Sequence, residues 1–175
     1  GKADDAWWAL QVVNPIRIKD VVPNALPRQA NTYFSSSDGN FKTRYEAKEQ
    51  FHRLKDGTVG VKAGWRVYSS GPGLYLSILI QRLLGIDVRV HGLLIDPVLP
   101  KRFDGLTFEY TVYDKPVTFQ YHVSNAVGVR NVVVNGEEVQ GIRVDHPYRE
   151  GGLWINRQLL DRLLKETHNH IDIYL

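Results

Sequence analysis

The residues best suited to chemistry lie in Gly64-Trp65-Arg66-Val67-Tyr68-Ser69-Ser70-Gly71-Pro72-Gly73, which runs straight into an apolar segment of helical character. The first backbone N–H groups of a helix have no partner inside it, and the aligned peptide dipoles make that end positive. Glycines such as Gly71 let an anion approach the backbone closely. Ser70 or Ser69 can donate a hydroxyl hydrogen bond, and Arg66 supplies a nearby cation. Together these describe an oxyanion or phosphate site. A tight loop with an ordinary serine cap is the competing reading. The segment is no P-loop, because the Gly-Lys-Ser/Thr ending is missing.

Other candidates are weaker. Tyr33 or Phe34 could stack against a sugar, with Ser35-Ser36-Ser37-Asp38 and Arg28 as hydroxyl partners, although such a serine run is more often a turn and helix cap. His168-Asn169-His170 would put two imidazoles on one strand face, but no third metal ligand is evident. His52, His91, His122 and His146 read as isolated. Asp4, Asp5, Asp20 and Asp38 could each be a general acid, and nothing singles one out. A Gly-x-Ser-x-Gly elbow is absent.

The elements that must position these residues change character near residue 90. Residues 3 to 13 predict a helix with Ala3, Ala6, Trp7, Leu10 and Val13 on one stripe, ended by Asn14-Pro15. Residues 15 to 40 are irregular, and a loop of that length suggests function. Residues 41 to 55 predict a short polar helix with Asp38 or Asn40 near its cap and Gly57 beyond its end. Residues 72 to 84 predict the clearest helix, started by Pro72 and stopped by Gly85. It is apolar nearly all round, so burial on all sides is expected.

From residue 92 on, short strands dominate. Leu93–Ile95, Leu106–Val112, Val117–Val123, Arg130–Val134, Glu137–Val144 and Ile171–Tyr174 are the candidates. Tyr113-Asp114-Lys115-Pro116 and Asn135-Gly136 are hairpin turns. Residues 156 to 166 predict a short helix. Strands at this spacing suggest a β-sandwich.

Composition narrows the class. The 175 residues are 43% hydrophobic and 23% charged, which suits a globular chain long enough for one domain with a proper core rather than a disordered one. The net charge is only +3, with Lys and Arg scattered, so nucleic acid is not an expected partner. Cysteine is absent, which excludes disulfides, thiolate metal sites and a Cys nucleophile and fits a cytoplasmic location. No apolar run approaches the roughly 20 residues that span a bilayer, so no membrane is expected. Methionine is absent too, including an initiator, so the chain is expected to begin inside a longer polypeptide.

Several motifs in order resemble one family, the inverting disaccharide and oligoglucan phosphorylases of glycoside hydrolase family 94. Gly1-Lys2-Ala3-Asp4-Asp5-Ala6-Trp7 with Asn14-Pro15-Ile16 resembles a barrel helix and its following loop. The Gly64–Gly73 segment resembles the stretch before the last barrel helix. Ile95-Asp96-Pro97-Val98-Leu99-Pro100 with Phe103-Asp104-Gly105-Leu106 resembles the join to a C-terminal β-sandwich. Arg28-Gln29-Ala30-Asn31 and Tyr33-Phe34-Ser35-Ser36-Ser37-Asp38 resemble the β-1,2-oligoglucan branch.

The resemblance implies an α+β chain. Residues 1–90 would be the last helices of an (α/α)6 barrel, and 91–175 a C-terminal antiparallel β-sandwich. It implies phosphorolysis with inversion, in which inorganic phosphate is a co-substrate and no cofactor is needed. A hydroxyl residue followed by glycine binds phosphate in the family, and it maps onto Ser70-Gly71, with Arg66 beside them. Tyr33 and Arg28 are then candidates for the glucan. The proton-donating aspartic acid would lie in the preceding part of the polypeptide, so the segment alone is expected to be inactive. A second copy, in a homodimer, is the remaining candidate partner. Relatives often carry a histidine shortly after Asn-Pro-Ile. Here Arg17, Ile18 and Lys19 follow, and Arg17 offers a cation instead. A non-catalytic carbohydrate-binding or structural β-sandwich is the alternative reading.

Overall fold

The computed structural model describes residues 2–14, 17, 20, 25–27, 39–63, 71, 73–124 and 128–175, with the side chains of 26, 27, 62 and 63 left aside. The chain divides into two units: Gly1–Trp7 with Ile78–Leu175, and Trp8–Ser77.

Helix α1 spans Ala3–Val12, with Asp4 and Asp5 in its first turn, where the helix dipole favours negative charge. It ends just before Asn14-Pro15, as proline's restriction on the preceding residue predicts. On its expected stripe Ala3 and Leu10 are buried, whereas Val13 is 60% exposed.

In the unit Trp8–Ser77, strands β1 (Leu26–Pro27) and β2 (Lys62–Ala63) pair in parallel. A small core of Ala25, Leu54, Val59 and Val61, with Phe41 against it, lies beside them. Helix α2 spans Arg44–Gln50 and continues as a 3-10 turn over Phe51–Leu54. Its cap is Thr43, not Asp38 or Asn40. The Thr43 hydroxyl accepts from Glu46 N, and the Glu46 carboxylate accepts from Lys42 N. This is close to a Thr-x-x-Glu capping box, a signal present in the sequence. Helix α3 spans Leu74–Ile78, and a π-helical stretch follows over Leu79–Leu83. Leu74, Leu76 and Ile78 are 56%, 51% and 39% exposed among the described residues, so these residues of the chain do not themselves cover the helix. An apolar pattern shows which faces avoid water, and the neighbours supplied by the fold decide which are covered.

The other unit is β-rich. β3 (Ile86–Arg89), β4 (Gly92–Ile95), β9 (Ile142–Arg143) and β10 (Leu153–Asn156) form an antiparallel sheet in the order β3-β4-β10-β9. β5 (Thr107–Val112), β6 (Lys115–His122), β7 (Asn131–Val134), β8 (Glu137–Glu138) and β11 (Asn169–Tyr174) form a second sheet in the order β5-β6-β11-β7-β8. Helix α4 (Arg157–Leu163), capped by the Asn156 side chain, leads towards β11.

Three corrections concern the sheets. The second is mixed, because β11 enters between β6 and β7 and runs parallel to β6. The run 137 to 144 is not one strand, since β8 lies in one sheet and β9 in the other. It breaks around Gly141, where a Cβ would crowd the Leu153 side chain and the Trp154 carbonyl. β3 and β10 are additional to the predicted strands.

Asn135-Gly136 takes positive φ at both residues, 51° and 87°, the signature of a type I′ hairpin turn. Tyr113 and Asp114 do the same at 52° and 63°, so the first hairpin turn is those two residues, and Lys115 and Pro116 already belong to β6.

Leu93, Ile95, Phe119, Tyr121, Ile155, Ile171 and Ile173 are fully buried and form the heart of this unit. The Tyr121 hydroxyl donates to Leu84 O at 2.8 Å, and burial pushes the phenol pKa far up, so it stays a donor. Tyr121→Phe leaves that carbonyl without its partner. The loss should be about 1–3 kcal/mol, read as a lower midpoint in a circular-dichroism melt. An unchanged midpoint would mean the bond adds nothing. No helix among the described residues is long and apolar enough to cross a membrane.

Candidate functional site

Of the predicted anion site only Gly71 falls among the described residues, half-buried just ahead of α3. Ser70, Arg66, Arg28 and Tyr33 lie outside them, as does the Ser35–Asp38 run.

The strands that lead into those segments are described. In the parallel pair Leu26 lies opposite Lys62, and Pro27 opposite Ala63. Arg28 follows β1 directly, and the segment beginning at Gly64 follows β2 directly. Gly39 bridges Val61 immediately before β2, and Asn40 N donates to Gly60 O at 3.0 Å. Ala25 and Val61 beneath the pair are buried. The strands that precede the two stretches in the chain are thus paired with each other. Sequence periodicity could not reveal this, because strands of two residues are shorter than any repeat it detects.

Arg17, considered as a replacement cation, has its guanidinium engaged with Asp20 Oδ2 at 2.8 Å and with Gln11 Oε1 at 2.6 Å. The pair is exposed on both sides, so solvent screens it heavily.

In the β-rich unit the histidines differ from their reading as isolated groups. His168 sits at φ 42°, ahead of β11, so it and His170 do not share a strand face. His122 Nε2 lies 2.8 Å from Asp172 Oδ1, and His170 Nε2 lies 3.4 Å from the same oxygen. His122 also stacks on Tyr174, with ring centroids 4.3 Å apart and planes 10° from parallel. The grouping arises from the strand register, which sets His122 opposite Tyr174 across the β6–β11 pair. The alternation of side chains along each strand was the available signal, but using it required knowing that β11 pairs with β6. No three of the described His, Asp and Glu residues form a group that could hold a metal ion.

Two comparisons bear on these residues. A family model for the glycoside phosphorylase C-terminal domain matches residues 85–174. The chain is also 44% identical over 155 residues to a 1,2-beta-oligoglucan phosphorylase of Listeria innocua serovar 6a. That match covers 89% of this chain and 14% of the relative, so the chain spans a small part of that relative's length.

Proposed function

The chain belongs to the glycoside phosphorylases through their C-terminal domain, and from that premise we propose that it is the C-terminal segment of an inverting β-oligoglucan phosphorylase. The observation that carries this reading is the 44% identity to a 1,2-beta-oligoglucan phosphorylase across most of the chain. In the proposed reaction a phosphate oxygen bonds to the anomeric carbon as the glycosidic C–O bond breaks on the opposite face. A carboxylic acid outside this chain protonates the leaving oxygen. The products are α-glucose 1-phosphate and a shortened glucan, and no cofactor takes part.

Ser70 and Gly71, with Arg66, would hold phosphate, and Tyr33 and Arg28 would contact the glucan. The parallel pairing of β1 with β2, the strands that precede Arg28 and the Gly64 segment in the chain, supports a joint role. Residues 1–90 would complete an (α/α)6 barrel begun by the preceding polypeptide, and 91–175 would form a β-sandwich, in a cytoplasmic enzyme that forms a homodimer.

Ser70→Ala in the full-length enzyme should raise the phosphate KM about tenfold, the worth of one hydrogen bond to a charged group, and shift the glucan KM much less. Unchanged kinetics with varied phosphate would remove Ser70 from the site. The 175 residues alone should show no turnover, and measurable phosphorolysis by them would contradict the missing general acid.

A further inference from the structure

We propose that a cleft of about 590 Å³ at one end of the five-stranded sheet is a non-catalytic glucan-binding site, with the Tyr174–His122 stack carrying a pyranose ring. Its wall includes His122, Tyr174, Arg130, Asn131, Asp104 and Ser124. The volume falls within the range of sites that hold small ligands.

The platform is rigid before any ligand arrives. His122 is held by Asp172 through Nε2, and Tyr174 is locked in strand β11 between β6 and β7. Tyr174 is nevertheless 37% exposed. A fixed aromatic surface binds with little loss of side-chain freedom. The surrounding groups suit a neutral polyol. Arg130 is exposed and has no ion pair among the described residues. Asp104 Oδ1 accepts from Val123 N at 2.8 Å, and a carboxylate retains acceptor capacity after one such bond. The Asn131 amide adds both a donor and acceptors. One arginine and one carboxylate, Arg130 and Asp104, in the same wall are a poor match for a polyanion, and so polar a rim is a poor match for a lipid. A sugar, with an apolar CH face and a hydroxyl edge, matches both halves. The choice of a glucan among sugars rests on the phosphorylase reading above.

The test uses full-length enzyme in native gels containing linear 1,2-β-glucan. The native protein should be retarded, and Tyr174→Phe should match it. Tyr174→Ala should weaken the apparent affinity about tenfold, and Arg130→Gln about threefold. Circular dichroism checks that each variant keeps its fold. If Tyr174→Ala does not fold, Arg130→Gln at its exposed position decides. A native protein that is not retarded, or folded Tyr174→Ala and Arg130→Gln variants retarded as strongly as it, would overturn the proposal. The phosphate KM is measured in parallel. A normal phosphate dependence of Ser70→Ala defeats the phosphate site and leaves the retardation result standing, and lost retardation with normal phosphorolysis does the reverse.

Discussion

Asn169→Ala should destabilise the protein by about 3–5 kcal/mol, lowering the unfolding midpoint by on the order of 10 °C. Asn169 is the one buried polar side chain among the described residues, at 3% exposure. Its Oδ1 accepts from Lys165 N at 2.7 Å and from Asn135 Nδ2 at 2.9 Å. Its Nδ2 donates to Pro116 O at 3.0 Å and to Lys165 O at 2.9 Å. These bonds use the whole capacity of an amide, two donors and two acceptor lone pairs.

Asn135 extends the network. Its Oδ1 accepts from His170 N at 2.9 Å, and its Nδ2 also donates to Leu163 O at 2.8 Å. One side chain thereby ties the start of β6, the residues after α4, the β7–β8 turn and the start of β11. Alanine would strand several part-buried groups at once, and such a group costs more unpaired than its bond contributes when made.

Asn169→Asp keeps the shape but turns a double donor into an acceptor facing two carbonyls. Burial and those carbonyls would hold the new carboxyl's folded pKa above its unfolded value. The protonated form would then favour folding. The variant should be closest to native below the unfolded carboxylate pKa and lose stability as pH rises through the folded one. Melts of both variants in acidic and neutral buffer check this. Midpoints within about 2 °C of native for Asn169→Ala would show that the network is dispensable.

Gly85→Ala should cost more than about 4 kcal/mol, enough to deplete folded protein at growth temperature. Gly85 holds φ 68°, in the left-handed region, and a Cβ there would fall on the Asp96–Pro97 backbone. The approach is close because Gly85 O accepts from Asp96 N at 2.8 Å, which ties the end of the π-helical stretch to the residue after β4. A side-chain tip could move aside, but paired backbone cannot.

Gly105 is the control. Its φ is 80°, yet a Cβ there would meet nothing within 4 Å. Gly105→Ala therefore bears backbone strain alone, about 1–2 kcal/mol. Comparing soluble yield and melting midpoint of the two variants separates steric exclusion from φ strain. Equal losses would refute the close packing at Gly85.

Much of the local structure was legible in the residues. Proline at position 15 marked the end of α1, glycine at 85 marked the helical stop, and Asn135-Gly136 gave a type I′ turn. Each is fixed by backbone sterics within a few residues, so sequence alone suffices. The ordered motifs likewise point to the glycoside phosphorylases. The Thr43 cap was legible too, through Thr-x-x-Glu46, although Asp38 and Asn40 drew the prediction.

Other features were settled only when distant segments met. Ile171–Tyr174 reads as a marginal last strand, yet in the structure β11 is the middle strand of its sheet, parallel to a strand some fifty residues earlier. That pairing places His122 on Tyr174 and closes the hydrogen bonds around Asn169. The two short parallel strands β1 and β2 were likewise invisible as periodicity. Local rules act through the chain's own sterics over a few residues. Partner, register and burial depend on which faces the whole fold can bring together away from water, and no short stretch of sequence carries that information.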